Sequence, residues 1–144
     1  MAVCPGCGAV YVSADESCAA CFDELLALDH SRAEPWGRRH ALAFSAYALQ
    51  HPDRFARNVL ERAWLLLYSV YVKGISADRV VEGLRRSGKN RPDWAAPPLP
   101  SGTPAPSFAV TIADLGSFAA ETYPEQLDSW CRATLAGWRA VDVV

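Results

Sequence analysis

Two Cys-x2-Cys pairs open the chain, Cys4 and Cys7 in CPGCG and Cys18 and Cys21 in CAAC, and they constrain its fold more than anything that follows them. Such a turn places two thiolates along one edge of a tetrahedron with little backbone strain, and two turns complete the four-ligand shell that zinc prefers. The ten residues between the pairs, Gly8 to Ser17, suffice to fold back as a short loop or hairpin. Gly6 and Gly8 flank the first pair, where the backbone needs positive φ and its amides must approach the sulfurs. A disulfide framework would need an oxidising compartment, and a thioredoxin-like redox motif a single CxxC beside a βαβ pattern; neither context is present. The expectation is a Zn2+ cofactor held by Cys4, Cys7, Cys18 and Cys21.

The metal need not carry the fold alone. A chain of 144 residues, half of them apolar, can bury well over half of the surface its unfolded form exposes, so one domain with one core is expected. The first residues lack the basic and apolar regions of a secretory signal, which argues for a cytoplasmic protein. The longest apolar run, Ala63 to Val72, falls well short of the roughly 20 residues that a membrane span requires, so it reads as a buried helix.

Past the second cysteine pair the apolar spacing is helical. FDELLALDH presents Phe22, Leu25 and Leu26 on one face of a first helix, with Cys18 and Cys21 at its N-terminus, where the helix dipole favours thiolates. A second helix is expected from Pro35 to Gln50, stopped by Pro52. A third, about Asp53 to Lys73, is apolar on every side of its second half and so reads as the central helix. Ser76 caps a fourth, with Val80, Val81 and Leu84 inward. The stretch 87–110 is too rich in proline for a helix or central strand and reads as a long ordered loop, with Trp94 and Leu99 packing it over the core. Thr111 is placed to cap TIADLGSFAAE, and Pro124 opens a last helix whose Leu127, Trp130, Cys131, Leu135 and Trp138 form one apolar stripe. The fold class is all-α: a helical-bundle-like domain with a small zinc-bearing element at 1–21, helices over 22–86, the proline-rich loop, and C-terminal helices over 111–140.

The second helix carries the other unusual grouping. At about 100° per residue, Tyr47 and His51 each lie about 20° from His40 around the axis, and Gln50 roughly 80° away. Two imidazoles, a phenol and a carboxamide along one edge suit a polar ligand or proton transfer. His40, Tyr47, Gln50 and His51 are therefore candidate pocket residues, with Trp94 as a cover. His40, Tyr47 and His51 are the candidate catalytic groups. His40 and His51 stand about 16 Å apart along an ideal helix, so at most one of them joins the zinc.

These motifs resemble a bacterial family of unknown function whose members carry CPGCG near the N-terminus, a cysteine opening the first helix, and H-x6-Y-A-x-Q-H-P on the second. Cys4, Cys7, Cys18, His40, Tyr47, Ala48, Gln50, His51 and Pro52 match that pattern, and TIADLGSFAAETYPEQLDSW is similar to the family's C-terminal part. The family commonly has Asp at the position of Ser45 and an apolar residue at that of Cys21. The resemblance thus implies either that Cys21 is an extra ligand here or that a histidine or water is the family's fourth ligand. It supplies no activity.

Two function classes stand. One is a structural or interaction module in which a closed zinc site pins the N-terminus and the helical body binds a small molecule or a protein partner. The other is a small enzyme, either with an open zinc position activating water or with His51 and Tyr47 as acid and base on a polar small molecule. Nucleic-acid binding is a third and thinner reading: Arg85, Arg86, Lys89 and Arg91 cluster, but acidic residues outnumber basic ones 16 to 14, and a basic run at a helix end is usually a solvated face.

Overall fold

The computed structural model describes residues 1–87 and 96–141. A two-residue hairpin comes first: β1 (Ala2–Val3) pairs antiparallel with β2 (Val10–Tyr11), Ala2 opposite Tyr11 and Val3 opposite Val10. Five α-helices follow among the described residues: α1 (Cys18–His30), α2 (His40–Gln50), α3 (Arg57–Tyr71), α4 (Ala77–Ser87) and α5 (Tyr123–Arg139). The chain is thus mostly helical, as the periodicity predicts. No described helix is long and apolar enough to cross a membrane.

The central helix is α2 rather than α3. Leu42, Ala43 and every residue from Ser45 to Gln50 are buried, because its alanines let α3 and α5 approach closely from two sides, whereas Tyr68, Val70 and Tyr71 at the end of α3 are only partly covered. Helix α2 is also shorter than expected. The segment from Pro35 forms a turn and a 3-10 helix (Gly37–Arg39) before His40, and the Trp36 indole, which donates to the Phe118 carbonyl at 2.9 Å, ties that turn to the segment before α5. Pro52–Arg54 is likewise a 3-10 turn, so α3 starts at Arg57. Ser76 accepts from the Arg79 amide at 3.3 Å, as a cap should. Thr111 and Asp114 form a reciprocal capping box, yet it opens only a 3-10 turn (Ile112–Leu115), because Gly116 at φ 62° turns the chain away.

All five residues of the expected α5 stripe are buried, Trp130 and Trp138 completely. Three polar contacts then fix α5 on α2. The Trp138 indole donates to Leu49 O at 2.7 Å, the Gln50 amide donates to Thr134 Oγ1 at 2.9 Å, and Cys131 Sγ lies 3.7 Å from Leu42 O; the same Gln50 amide also donates to Val110 O at 2.8 Å, ahead of α5. The carbonyls at the end of a helix lack partners within it, so the indole on Leu49 O both satisfies α2 and sets where its last turn points. Residues 97–100 of the proline-rich stretch lie along α3: Trp64 Nε1 donates to Pro97 O at 2.8 Å, Arg57 donates to Leu99 O at 2.9 Å, and Leu99 is buried; further on, the Phe108 amide donates to Cys7 O at 3.3 Å. Trp94, the expected cover, lies outside the described residues.

Candidate metal centre

The first cysteine pair sits in a tight turn following β1. The Cys4 amide donates to Ala9 O at 2.8 Å and the Gly8 amide to Cys4 O at 2.9 Å. Gly8 adopts φ 84°, and a Cβ there would stand 2.3 Å from Pro106 O, so the position requires glycine twice over. The second cysteine site is the start of α1, where Ser17 caps the helix by accepting from the Ala20 amide at 3.0 Å and so presents Cys18 in the first turn.

The end of α2 docks against this turn. A Cβ on Gly6 would lie 2.9 Å from both Gln50 O and His51 Cδ2, so only glycine lets the imidazole come so close. His51 Nδ1 is 2.7 Å from Tyr47 O; a carbonyl only accepts, so Nδ1 carries the hydrogen and Nε2 keeps its lone pair. That Nε2 is buried with no hydrogen-bond partner among the described residues. It completes a group with the sulfurs of Cys4, Cys7 and Cys18, the four ligand atoms lying within 4.8 Å of one another. The four residues are 7%, 0%, 2% and 2% exposed, which makes the site a closed one. A tetrahedron with metal–sulfur bonds near 2.3 Å has edges of roughly 3.8 Å, so small side-chain adjustments would close this group on a cation.

The surroundings fit a cation. The Cys7 sulfur, 3.5 Å away, and then burial push the Cys18 thiol up to about 12; a nearby positive ion would favour its thiolate. The Tyr11 hydroxyl stands 2.9 Å from Cys18 Sγ and is placed to donate to a ligating thiolate. Its own ionisation is driven far upward, chiefly by burial, so it stays a neutral donor. Tyr47 supports the imidazole from behind, its ring 4.3 Å from that of His51 and stacked on Phe22 at 4.1 Å, while its hydroxyl accepts from Arg54 at 2.8 Å.

The expected four-cysteine shell therefore differs from the gathered group in one member: His51 stands where Cys21 was expected. Cys21 lies nearly a full turn along α1 from Cys18, with its sulfur 3.9 Å from the Tyr11 hydroxyl, half-buried, its thiol pushed up mainly by burial. Docking of α2 on Gly6 brings an imidazole to the fourth corner. The expected pocket is not assembled either. Tyr47, Gln50 and His51 are 5%, 0% and 2% exposed and spend their polar groups on Arg54, on α5 and on the cysteine group. His40, at the other end of α2, lies half-exposed with Nδ1 2.8 Å from Asp29 Oδ2. Helical phase places His40, Tyr47 and His51 on one stripe with Gln50 beside it, but packing of α1 and α5 over its C-terminal part leaves only His40 of the four near open space. The unread partner is Asp29, whose position in LALDH after an apolar face offered no local signal.

Fold and site together define a helical domain whose N-terminal turn and central helix meet at a buried Cys3His group suited to a metal ion. The chain belongs to a family of unknown function, DUF5946, whose model matches residues 2–139. No curated protein and no solved structure matches it.

Proposed function

We propose that this protein binds one zinc ion through Cys4, Cys7, Cys18 and His51, that the ion is structural, and that the working surface, for a small molecule or a protein partner, lies on the helical body. The observation that carries this reading is the buried Nε2 of His51, free of hydrogen bonds and aimed at three sulfurs. Three sulfurs and an imidazole nitrogen gathered within 4.8 Å of one another suit zinc better than hard cations, which take oxygen ligands. A fourth protein ligand occupies the corner that a catalytic zinc would keep for water, which favours the structural role over the hydrolytic one. Cysteines free of disulfides suit a reducing compartment such as the cytoplasm.

Zinc-edge X-ray absorption on the purified chain is the test. Three sulfur neighbours and one nitrogen, with the outer-shell scattering of an imidazole, are expected; four sulfurs would restore Cys21 as a ligand, and no retained zinc would overturn the reading. The close approach at Gly6 adds a second expectation. Gly6→Ala forces the turn away from Gln50 O and His51, so competition with a chromophoric chelator is expected to show zinc affinity lower by about 10- to 100-fold, the range found when the support of a ligating histidine is disturbed. Its far-ultraviolet circular dichroism should match the parent, because the α3, α4 and α5 packing does not touch Gly6.

A further inference from the structure

Beside the N-terminal part of α2, a cavity of about 500 Å3 opens between α2, α3 and α4, within the range of small-molecule sites. Most of its wall is apolar, with Phe44 from α2 and Leu66 from α3 among its residues; its polar groups are His40, Ser45, Arg62 and Arg85. Arg62 on α3 and Arg85 on α4 reach it from two helices, and no described carboxylate pairs with either: the ion pairs formed nearby are Arg38 with Asp78, Arg39 with Glu34 and Arg86 with Glu82. His40 is held there by Asp29. That carboxylate is 1% exposed and its other oxygen has no partner among the described residues, so it is dedicated to one imidazole nitrogen. The remaining nitrogen, Nε2, is left to the cavity that the ring lines. Burying a carboxylate is costly unless something is gained, and here it holds Nδ1 of His40 and so orients the ring at the cavity wall.

We propose that this cavity is a binding site for a carboxylic acid with an apolar chain or ring. The carboxylate sits between the Arg62 and Arg85 guanidiniums, whose paired N–H groups match its two oxygens. The apolar body lies against Phe44 and Leu66, and the His40 ring, oriented by Asp29, makes the remaining polar contact at the rim. A free phosphate would leave the apolar wall uncovered and a dicarboxylate would place a second charge against it, whereas a single carboxylate on an apolar body leaves its charge at the guanidiniums. The proposal rests on the reading that the working surface is on the helical body; it does not require the metal to be zinc.

The test is a 15N-resolved NMR titration of the metal-loaded full chain with sodium octanoate, with 1-octanol as the neutral counterpart, repeated on the double variant R62Q/R85Q. Both arginines are solvent-exposed, so this variant should keep the parent's thermal midpoint. Saturable shifts at His40, Phe44 and Leu66 with octanoate are expected. Binding should weaken by about tenfold or more both for octanol and for octanoate on R62Q/R85Q, as expected when a charged hydrogen-bonding pair is lost. Absence of saturable binding, equal affinity for octanol, an unchanged R62Q/R85Q, or shifts confined to another surface would each overturn the proposal. Metal content measured on the same sample separates the two readings: octanoate binding by a zinc-free, folded chain would uphold the cavity while removing the zinc.

Discussion

His51→Ala is expected to purify without its metal, while Cys21→Ser retains a full equivalent. The two substitutions oppose the expectation from cysteine spacing to the geometry of the folded chain. Removing His51 takes one of four candidate donors and would leave only the three buried sulfurs of Cys4, Cys7 and Cys18 to hold a cation. Removing Cys21 takes a half-buried thiol whose sulfur stands 3.9 Å from the Tyr11 hydroxyl and lies outside the gathered group. A metal bound a thousandfold above its dissociation constant stabilises the native state by about 4 kcal/mol. At about 3 °C per kcal/mol for a domain of this size, loss of the ion should lower the melting midpoint by on the order of 10 °C. The helical body has its own core, so His51→Ala should stay folded at room temperature. Elemental analysis with calorimetric melts, in the presence and absence of EDTA, measures both effects. EDTA should lower the midpoint of the parent and of Cys21→Ser but leave His51→Ala unmoved. Metal retained by His51→Ala and lost by Cys21→Ser would return the fourth corner to the cysteine.

Trp138→Ala should be the most destabilising single change in the helical body. The side chain is fully buried and its Nε1 donates to Leu49 O at 2.7 Å. Truncating a buried tryptophan costs about 3–5 kcal/mol, and an unsatisfied buried carbonyl adds about 1–3 kcal/mol. That is a large part of the roughly 5–15 kcal/mol by which domains are stable. Urea unfolding followed by circular dichroism should show the midpoint reduced by about half, with Trp138→Phe intermediate because it keeps the ring and loses the donor. Leu49 stands two residues before His51, so the same substitution is expected to weaken metal binding as well. A protein that loses stability but not metal affinity would show that Gly6 and the Tyr47 carbonyl hold His51 without help from α5.

Short-range physics is what a sequence displays, and the parts of this protein that rest on it were legible there. The turn in CPGCG, the thiol-bearing start of α1, the Ser76 cap and the buried stripe Leu127, Trp130, Cys131, Leu135 and Trp138 each depend on residues a few positions apart, where one helical or turn geometry decides the outcome. Membership of a family of unknown function was also readable, from CPGCG, the cysteine opening α1 and the H-x6-Y-A-x-Q-H-P run along α2. Helix limits were less so: the helix expected from Pro35 starts only at His40, after a turn that Trp36 ties to Phe118, and the one expected from Thr111 is a 3-10 turn that Gly116 ends.

The fourth member of the Cys3His group was decided by tertiary structure alone. CAAC advertises Cys21, but whether a thiol or an imidazole reaches the other three donors depends on how closely the end of α2 docks on Gly6, a contact between segments far apart in the chain. The same holds for the cavity. Phase around α2 placed His40 with Tyr47, Gln50 and His51, yet phase says nothing about which stretch of a helix its neighbours cover. Helices α1 and α5 covered the C-terminal part, and left His40 to join Asp29, Arg62 and Arg85, three residues from three other helices that no periodicity connects.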